Sequence, residues 1–313
     1  MNYDIKILGE DEDSGLIEFD RLAKLTQSTK DIACKALMLD LRGYSDITPD
    51  KHLKKALNMY LQEVSGNEQE GTTLTIDCKD FSETIRGLQF DLFKPKESIL
   101  KLTPMALVIR SFQHALEVDS MVSDLDKPLL RSLMNFKRNF ISGNEIFYLS
   151  NRGSIAEVKL TKDDFQKIEI LEESIPEPQN VIVNGQLDEI KISKGRLGLM
   201  TEEGMVNLVV KDNASIQELL RFMGKEITIK GKSHFKPNGA LSFVEIVEFG
   251  EANENDKYFS TIPNAAISNQ QVLFHLKESK RGNSFDALKD LSGLMTEDID
   301  ENKFQEMLKD IHR

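Results

Sequence analysis

The sequence predicts a mixed α+β protein. An N-terminal α+β domain covers residues 1–175, a small five-stranded OB-like β-barrel covers 181–250, and a polar tether with an amphipathic helical tail covers 251–313. Three observations carry this reading. The apolar period alternates between strand-like and helix-like before residue 175. Pro176 and Pro178, one residue apart, stop any helix or central strand from running through. Beyond them come five β stretches with one helical interruption between the third and the fourth, which is the OB order.

Each element has its own signal. Tyr3 to Leu8 alternates as an opening strand, and the acidic run Glu10 to Asp13 before Gly15 reads as a solvated turn. From Phe19 to Leu39, Leu22, Leu25, Ile32, Ala33, Ala36 and Leu37 fall on one face, so this segment is an amphipathic helix lying on a sheet. Met59 to Ser65 and Thr72 to Cys78 flank a polar loop with glycine at each end, a hairpin signal. Thr103 before Pro104 supplies an N-cap and a first-turn proline for a helix whose stripe includes Met105, Val108, Ile109 and Phe112. Asp126 with Pro128 opens a third helix, its buried side given by Leu129, Leu130, Leu133, Met134 and Phe140. Glu145 to Leu149 and Ile155 to Leu160 flank a glycine-containing turn, and Thr161 with Asp164 resembles a capping box that opens a short helix to Leu171.

Ile175 to Asn180 reads as a linker. The β stretches after it are Val181 to Ile192, Arg196 to Thr201, Met205 to Val210, Lys225 to Phe235 and Ala240 to Glu248, with a helix from Ser215 to Met223 that stops at Gly224. The apolar phase shifts near Asp188-Glu189, as a bulge in a long bent first strand requires. A five-stranded antiparallel barrel of another topology fits the same stretches.

Composition narrows the function classes. The 313 residues, 40% of them hydrophobic, suffice for two cores. Lys and Arg number 40 against 52 Asp and Glu, a net charge of -12, so nucleic-acid backbones and anionic membranes repel the molecule unless a basic face is segregated. Cys34 and Cys78 lack metal-ligand spacing and read as buried thiols in a reducing compartment. No basic start is followed by an apolar run and no window reaches the ~18 apolar residues of a membrane span, so a cytoplasmic location without membrane contact is expected. The histidines are scattered, and no nucleophile elbow, phosphate loop or dinucleotide fingerprint occurs. The expectation is therefore a protein that is not an enzyme, with no catalytic residue, metal or cofactor.

Two candidate interaction sites remain. The barrel segment from Asn180 to Gly250 carries nine basic and nine acidic residues. Lys225, Lys230, Lys232, His234, Phe235 and Lys236 gather on its fourth strand and the loop after it. Such a cluster lines a single-stranded nucleic-acid groove with Phe235 as the stacking ring, or simply blunts an exposed strand. In the tail, Phe285, Leu288 and Leu291, then Phe304, Met307, Leu308 and Ile311, form two apolar stripes behind the polar run Glu251 to Lys257. Stripes of this kind pack back on their own chain or dock on a partner.

The layout also carries a resemblance. Tyr3 to Gly9, the Ser14-Gly15-Leu16-Ile17 approach to the first helix, the proline-rich joint and Gly185 to Ile190 leading the barrel resemble bacterial two-domain proteins of toxin–antitoxin or phage-defence modules. The resemblance implies a non-catalytic regulatory or neutralising component that binds another protein, of the kind co-encoded in such modules. A single-stranded nucleic-acid-binding protein is the alternative.

Overall fold

The computed structural model describes residues 1–9, 15–67, 71–85, 97–117, 125–151, 155–191, 196–211 and 213–265. The described residues up to 263 belong to one compact unit. The chain opens with β1 (Asn2–Leu8), α1 (Phe19–Arg42), α2 (Lys51–Ala56), β2 (Met59–Asn67) and β3 (Gly71–Cys78). Then come α3 (Phe81–Ile85), α4 (Glu97–Leu100), α5 (Pro104–Glu117), α6 (Lys127–Phe136), β4 (Ile146–Asn151), β5 (Val158–Thr161) and α7 (Asp164–Ser174).

The first sheet has the order β2-β3-β1-β4-β5, with β1 in the middle and antiparallel to both neighbours. Tyr3, Ile5 and Ile7 take the buried face, as strict alternation requires. Helices cover that face. α1 packs against α5 and α6, and Leu25, Ile32, Ala33 and Leu37 point into the core. Phe112, Phe136, Phe147 and Phe165 fill the centre in edge-on pairs, with the Phe112 and Phe136 rings 5.2 Å apart. α5 begins where expected, with Thr103 Oγ1 accepting from the Ala106 amide at 3.1 Å and donating to the Tyr3 hydroxyl.

Three local outcomes differ from the sequence reading. α1 runs a turn further than Leu39 and ends at Gly43, whose φ of 74° is the left-handed cap that glycine adopts without strain. Phe140 is buried from the segment after α6, beyond the helix itself. Arg21, on α1, is buried against the fully buried Glu145, with its guanidinium 2.7 Å from the carboxylate. Periodicity assigns an arginine to solvent, whereas here the guanidinium donates to the Glu145 carboxylate and to the Asn139 carbonyl, and the Ile141 amide donates to the other carboxylate oxygen.

The second sheet comprises β6 (Gln179–Lys191), β7 (Arg196–Thr201), β8 (Gly204–Val209), β9 (Glu226–Phe235) and β10 (Leu241–Glu251), with α8 (Asn213–Leu219) between β8 and β9. Its strands close in the order β10-β8-β7-β6-β9. β8 and β10 meet in parallel, and the other pairings are antiparallel. β6 reaches two neighbours because it bends: residues 179–186 pair with β9 and 186–191 with β7, with a register shift between Leu187 and Glu189 where the phase change lies. Gly185 stands at this switch, where a Cβ would come within 2.3 Å of the Met200 carbonyl.

The Ile175 to Asn180 segment is fastened, contrary to the linker expectation. Ile175 and Pro176 are buried, and the Glu177 carboxylate takes Lys127 Nζ at 2.6 Å and Arg131 Nη2 at 2.9 Å. These ion pairs hold Glu177 below its ordinary pKa; its burial opposes the effect, and the lysine and arginine outweigh it. The prolines break the secondary structure, yet the ring of strands and the first sheet belong to one compact unit.

The reading of Glu251 to Lys257 as an unpacked tether is also corrected. β10 continues through Glu251, and a 3-10 helix, Glu254–Phe259, closes a capping box between Asn253 and Asp256. The Thr228 hydroxyl donates to Asp256 at 2.8 Å, and Ile262 packs on the core of the ring. Side-chain hydrogen bonds order this polar run, so apolar periodicity has nothing to report there.

A compact seam ties the two sheets. Arg196 lies over Gly43 and donates to the Arg42 carbonyl at 3.2 Å. His234 stacks on Phe243 with Tyr44 tilted against both rings, and Phe243 and Val209 join the core of the first sheet. At the centre Glu245 takes Lys211 Nζ at 2.9 Å and stands 3.3 Å from His234 Nε2. Burial alone pushes the Glu245 carboxyl up, but hydrogen bonds from His234 and Lys211 and their charges outweigh it and hold it at about 2. Burial, with Glu245, Asp46 and Asp126 nearby, keeps the Tyr44 hydroxyl protonated far above the usual tyrosine range.

Candidate functional site

An open groove of about 450 Å³ lies beside α1. One wall is the α1 face bearing Leu22, Thr26 and Lys30, and the other is the start of β2, Met59 to Leu61. Ile5, Leu74 and Ile76 form its floor. Sheet order explains its place. β2 is the edge strand, and α1 packs toward α5 and α6, so the inner side of the β2 edge lies open among the described residues. Tyr60 and Leu61 are 57% and 44% exposed, unusual for large apolar residues on consecutive strand positions. A register shift between Leu61 and Glu63 twists the strand at this point.

The groove runs along α1 between two different ends. At the α1 start Leu16 and Phe19 are exposed, with Leu16 held beside β3 by a hydrogen bond from the Thr72 hydroxyl. At the other end α2 and Asn58 lead into β2, and residues 51–58 carry three lysines and no acidic residue. Burial and Asp31 raise the pKa of the Cys34 thiol on α1, and Lys35, Lys54 and Lys30 act against them. The groove has apolar walls, a polar rim and one basic mouth, a combination suited to holding a chain segment.

The cluster expected on the fourth barrel strand is only partly assembled. Lys230 and Lys232 point outward on β9, and Lys230 is paired with Glu248 at 3.3 Å. Lys225 lies over the Phe222 ring, and Lys236 is exposed in the turn after β9. Phe235 is corrected: at 5% exposure it is buried beside Pro176 and Phe243 in the seam, where it has no face for a base. Strand alternation puts residue 235 on the side opposite Lys230 and Lys232, a point a residue count overlooks. His234 is likewise engaged, stacked on Phe243 at 4.5 Å.

The expected partner-binding residues Phe285, Leu288, Leu291, Phe304, Met307, Leu308 and Ile311 lie outside the described residues. Sequence reasoning missed the groove. Its signal was available in Met59-Tyr60-Leu61, because consecutive apolar residues on a strand cannot all face one core.

No family model, curated protein or solved structure matches this chain. Among the described residues no helix is long and apolar enough to cross a membrane.

Proposed function

We propose that the protein is a non-catalytic, protein-binding component of regulatory or neutralising type, as in bacterial toxin–antitoxin or phage-defence modules, and that the α1–β2 groove is one of its binding sites. The observation that carries this reading is the pair Tyr60 and Leu61, exposed at an open sheet edge beside apolar walls. Surface of this composition gains by being covered, and an edge strand left open in this way favours association. The two stripes of the tail, Phe285 to Leu291 and Phe304 to Ile311, supply further apolar contacts to a partner.

The ring of five strands is, in this proposal, an OB-type barrel: the parallel contact of its third and fifth strands and the helix between its third and fourth support the assignment. That topology is what favours the alternative of single-stranded nucleic-acid binding. Against it stand the net neutrality of the segment, the burial of Phe235, and the place of the turn after β9, where Lys236 and Pro237 border the seam.

The test is site-specific photo-cross-linking in the native host, with a benzoylphenylalanine at position 61 and a control at Lys159, exposed on the opposite edge of the sheet. A discrete protein adduct from position 61 alone supports the reading. Equal adducts at both positions, or none at either, overturn it.

A further inference from the structure

The groove is bipolar, and its polarity selects a ligand. Its walls along α1 extend from Leu22 to Lys30, about two helical turns or roughly 12 Å. Beyond the Leu22 end, at the start of α1, stand the acids Glu18 and Asp20, with Glu18 capping α1 through the Arg21 amide. At the opposite end Lys30 and Asn58 line the groove, and α2, which leads into Asn58, carries the exposed Lys51, Lys54 and Lys55. The acids nearest to them are committed elsewhere: Asp50 caps α2 through the His52 and Leu53 amides, and Asp31 accepts from the Ser132 hydroxyl of α6. Glu63 is exposed midway along β2.

We infer that the groove receives an acidic, amphipathic peptide segment of a partner protein, its apolar side chains between α1 and β2 and its carboxylates over the lysines of α2. This rests on the reading of the groove as a protein-binding site, and adds to it the chemistry of the occupant. In a chain of net charge -12 a mouth with lysines and uncommitted to local acids is the place where an acidic partner avoids repulsion. The walls, Leu22, Leu25, Met59, Leu61 and Ile76, accept two or three apolar anchors at helical spacing. The carboxylates of the segment then set its direction, because the reversed orientation brings them against Glu18 and Asp20.

The experiment is selection of a random 16-residue peptide library, displayed on phage, against the full chain. Enriched peptides are then synthesised, labelled and measured by fluorescence anisotropy at two salt concentrations. The expected peptides carry acidic residues at one end and apolar residues three or four apart. Their affinity falls at least tenfold on Leu61→Asp, and equally on Thr26→Arg, which fills the groove from an exposed helical position without touching β2. The double reversal Lys54→Glu with Lys55→Glu weakens them by a similar factor and flattens the salt dependence. Peptides that lose binding on Leu61→Asp and Thr26→Arg, yet are neutral or indifferent to the lysine reversals, overturn the acidic occupant and leave the groove as a binding site. Peptides indifferent to all four changes, or no enrichment at all, overturn both.

Discussion

Replacing Glu245 with glutamine removes one negative charge from the seam with almost no change of shape. The carboxyl is 8% exposed and is held at about 2 where an ordinary glutamate stands at 4.5. That difference corresponds to on the order of 3 kcal/mol of stability at neutral pH. The sign follows from the direction. A carboxyl depressed in the folded state contributes fully above its unfolded value of 4.5 and loses the contribution as pH falls toward about 2. About half of it is gone near pH ~3.3, midway between the two values. Glu245→Gln is therefore expected to lower stability by about 2 to 3 kcal/mol at pH 7, since Lys211 keeps Asp46 as a second partner at 3.5 Å. Urea denaturation followed by circular dichroism at a series of pH values measures the gap between the two proteins. The gap should be constant above pH ~5 and narrow below it. A gap that stays constant down to pH ~3 refutes the electrostatic account and leaves a packing effect in its place.

Further outcomes follow from other contacts. Gly43→Ala places a Cβ where Arg196 Nη2 stands, 1.4 Å away, at a φ of +74°; a loss of about 1 to 2 kcal/mol in chemical denaturation is expected. Glu145→Ala leaves Arg21 buried without its carboxylate and should cost about 3 to 5 kcal/mol, whereas replacing both by leucine should recover most of the loss in the same assay. Phe304→Asp should leave the melting temperature of the free protein within a degree or so and abolish co-purification with the partner; a large drop in melting temperature with binding intact would mean that the stripe belongs to this chain's own core. A random single-stranded oligonucleotide should bind weakly by anisotropy at physiological salt, and submicromolar binding lost on substituting Lys230 and Lys232 would reverse the ranking of the two functional readings.

The sequence by itself determined the elements. α1, the β2–β3 hairpin, α5 with its Thr103 cap, α6 with Asp126, the five later strands and the bulge near Asp188 were legible because each rests on interactions within a few residues of chain. Amphipathic period, capping side chains and glycine turns are local physics, and local physics is written in the order of residues. What only the tertiary structure decided depends on contacts between distant residues. Arg21 meets Glu145 across more than a hundred positions, and Lys211, just past β8, and His234, on β9, converge on Glu245. The polar run after Glu251 packs because Thr228 and Glu203 meet it, and Phe235 turns away from its neighbouring lysines because alternation sends it into the seam. The groove belongs to the same class. It exists because the sheet order leaves β2 at an edge beside α1, and strand order is set by which hydrogen-bonding edges find each other in three dimensions, a global choice that no single segment encodes.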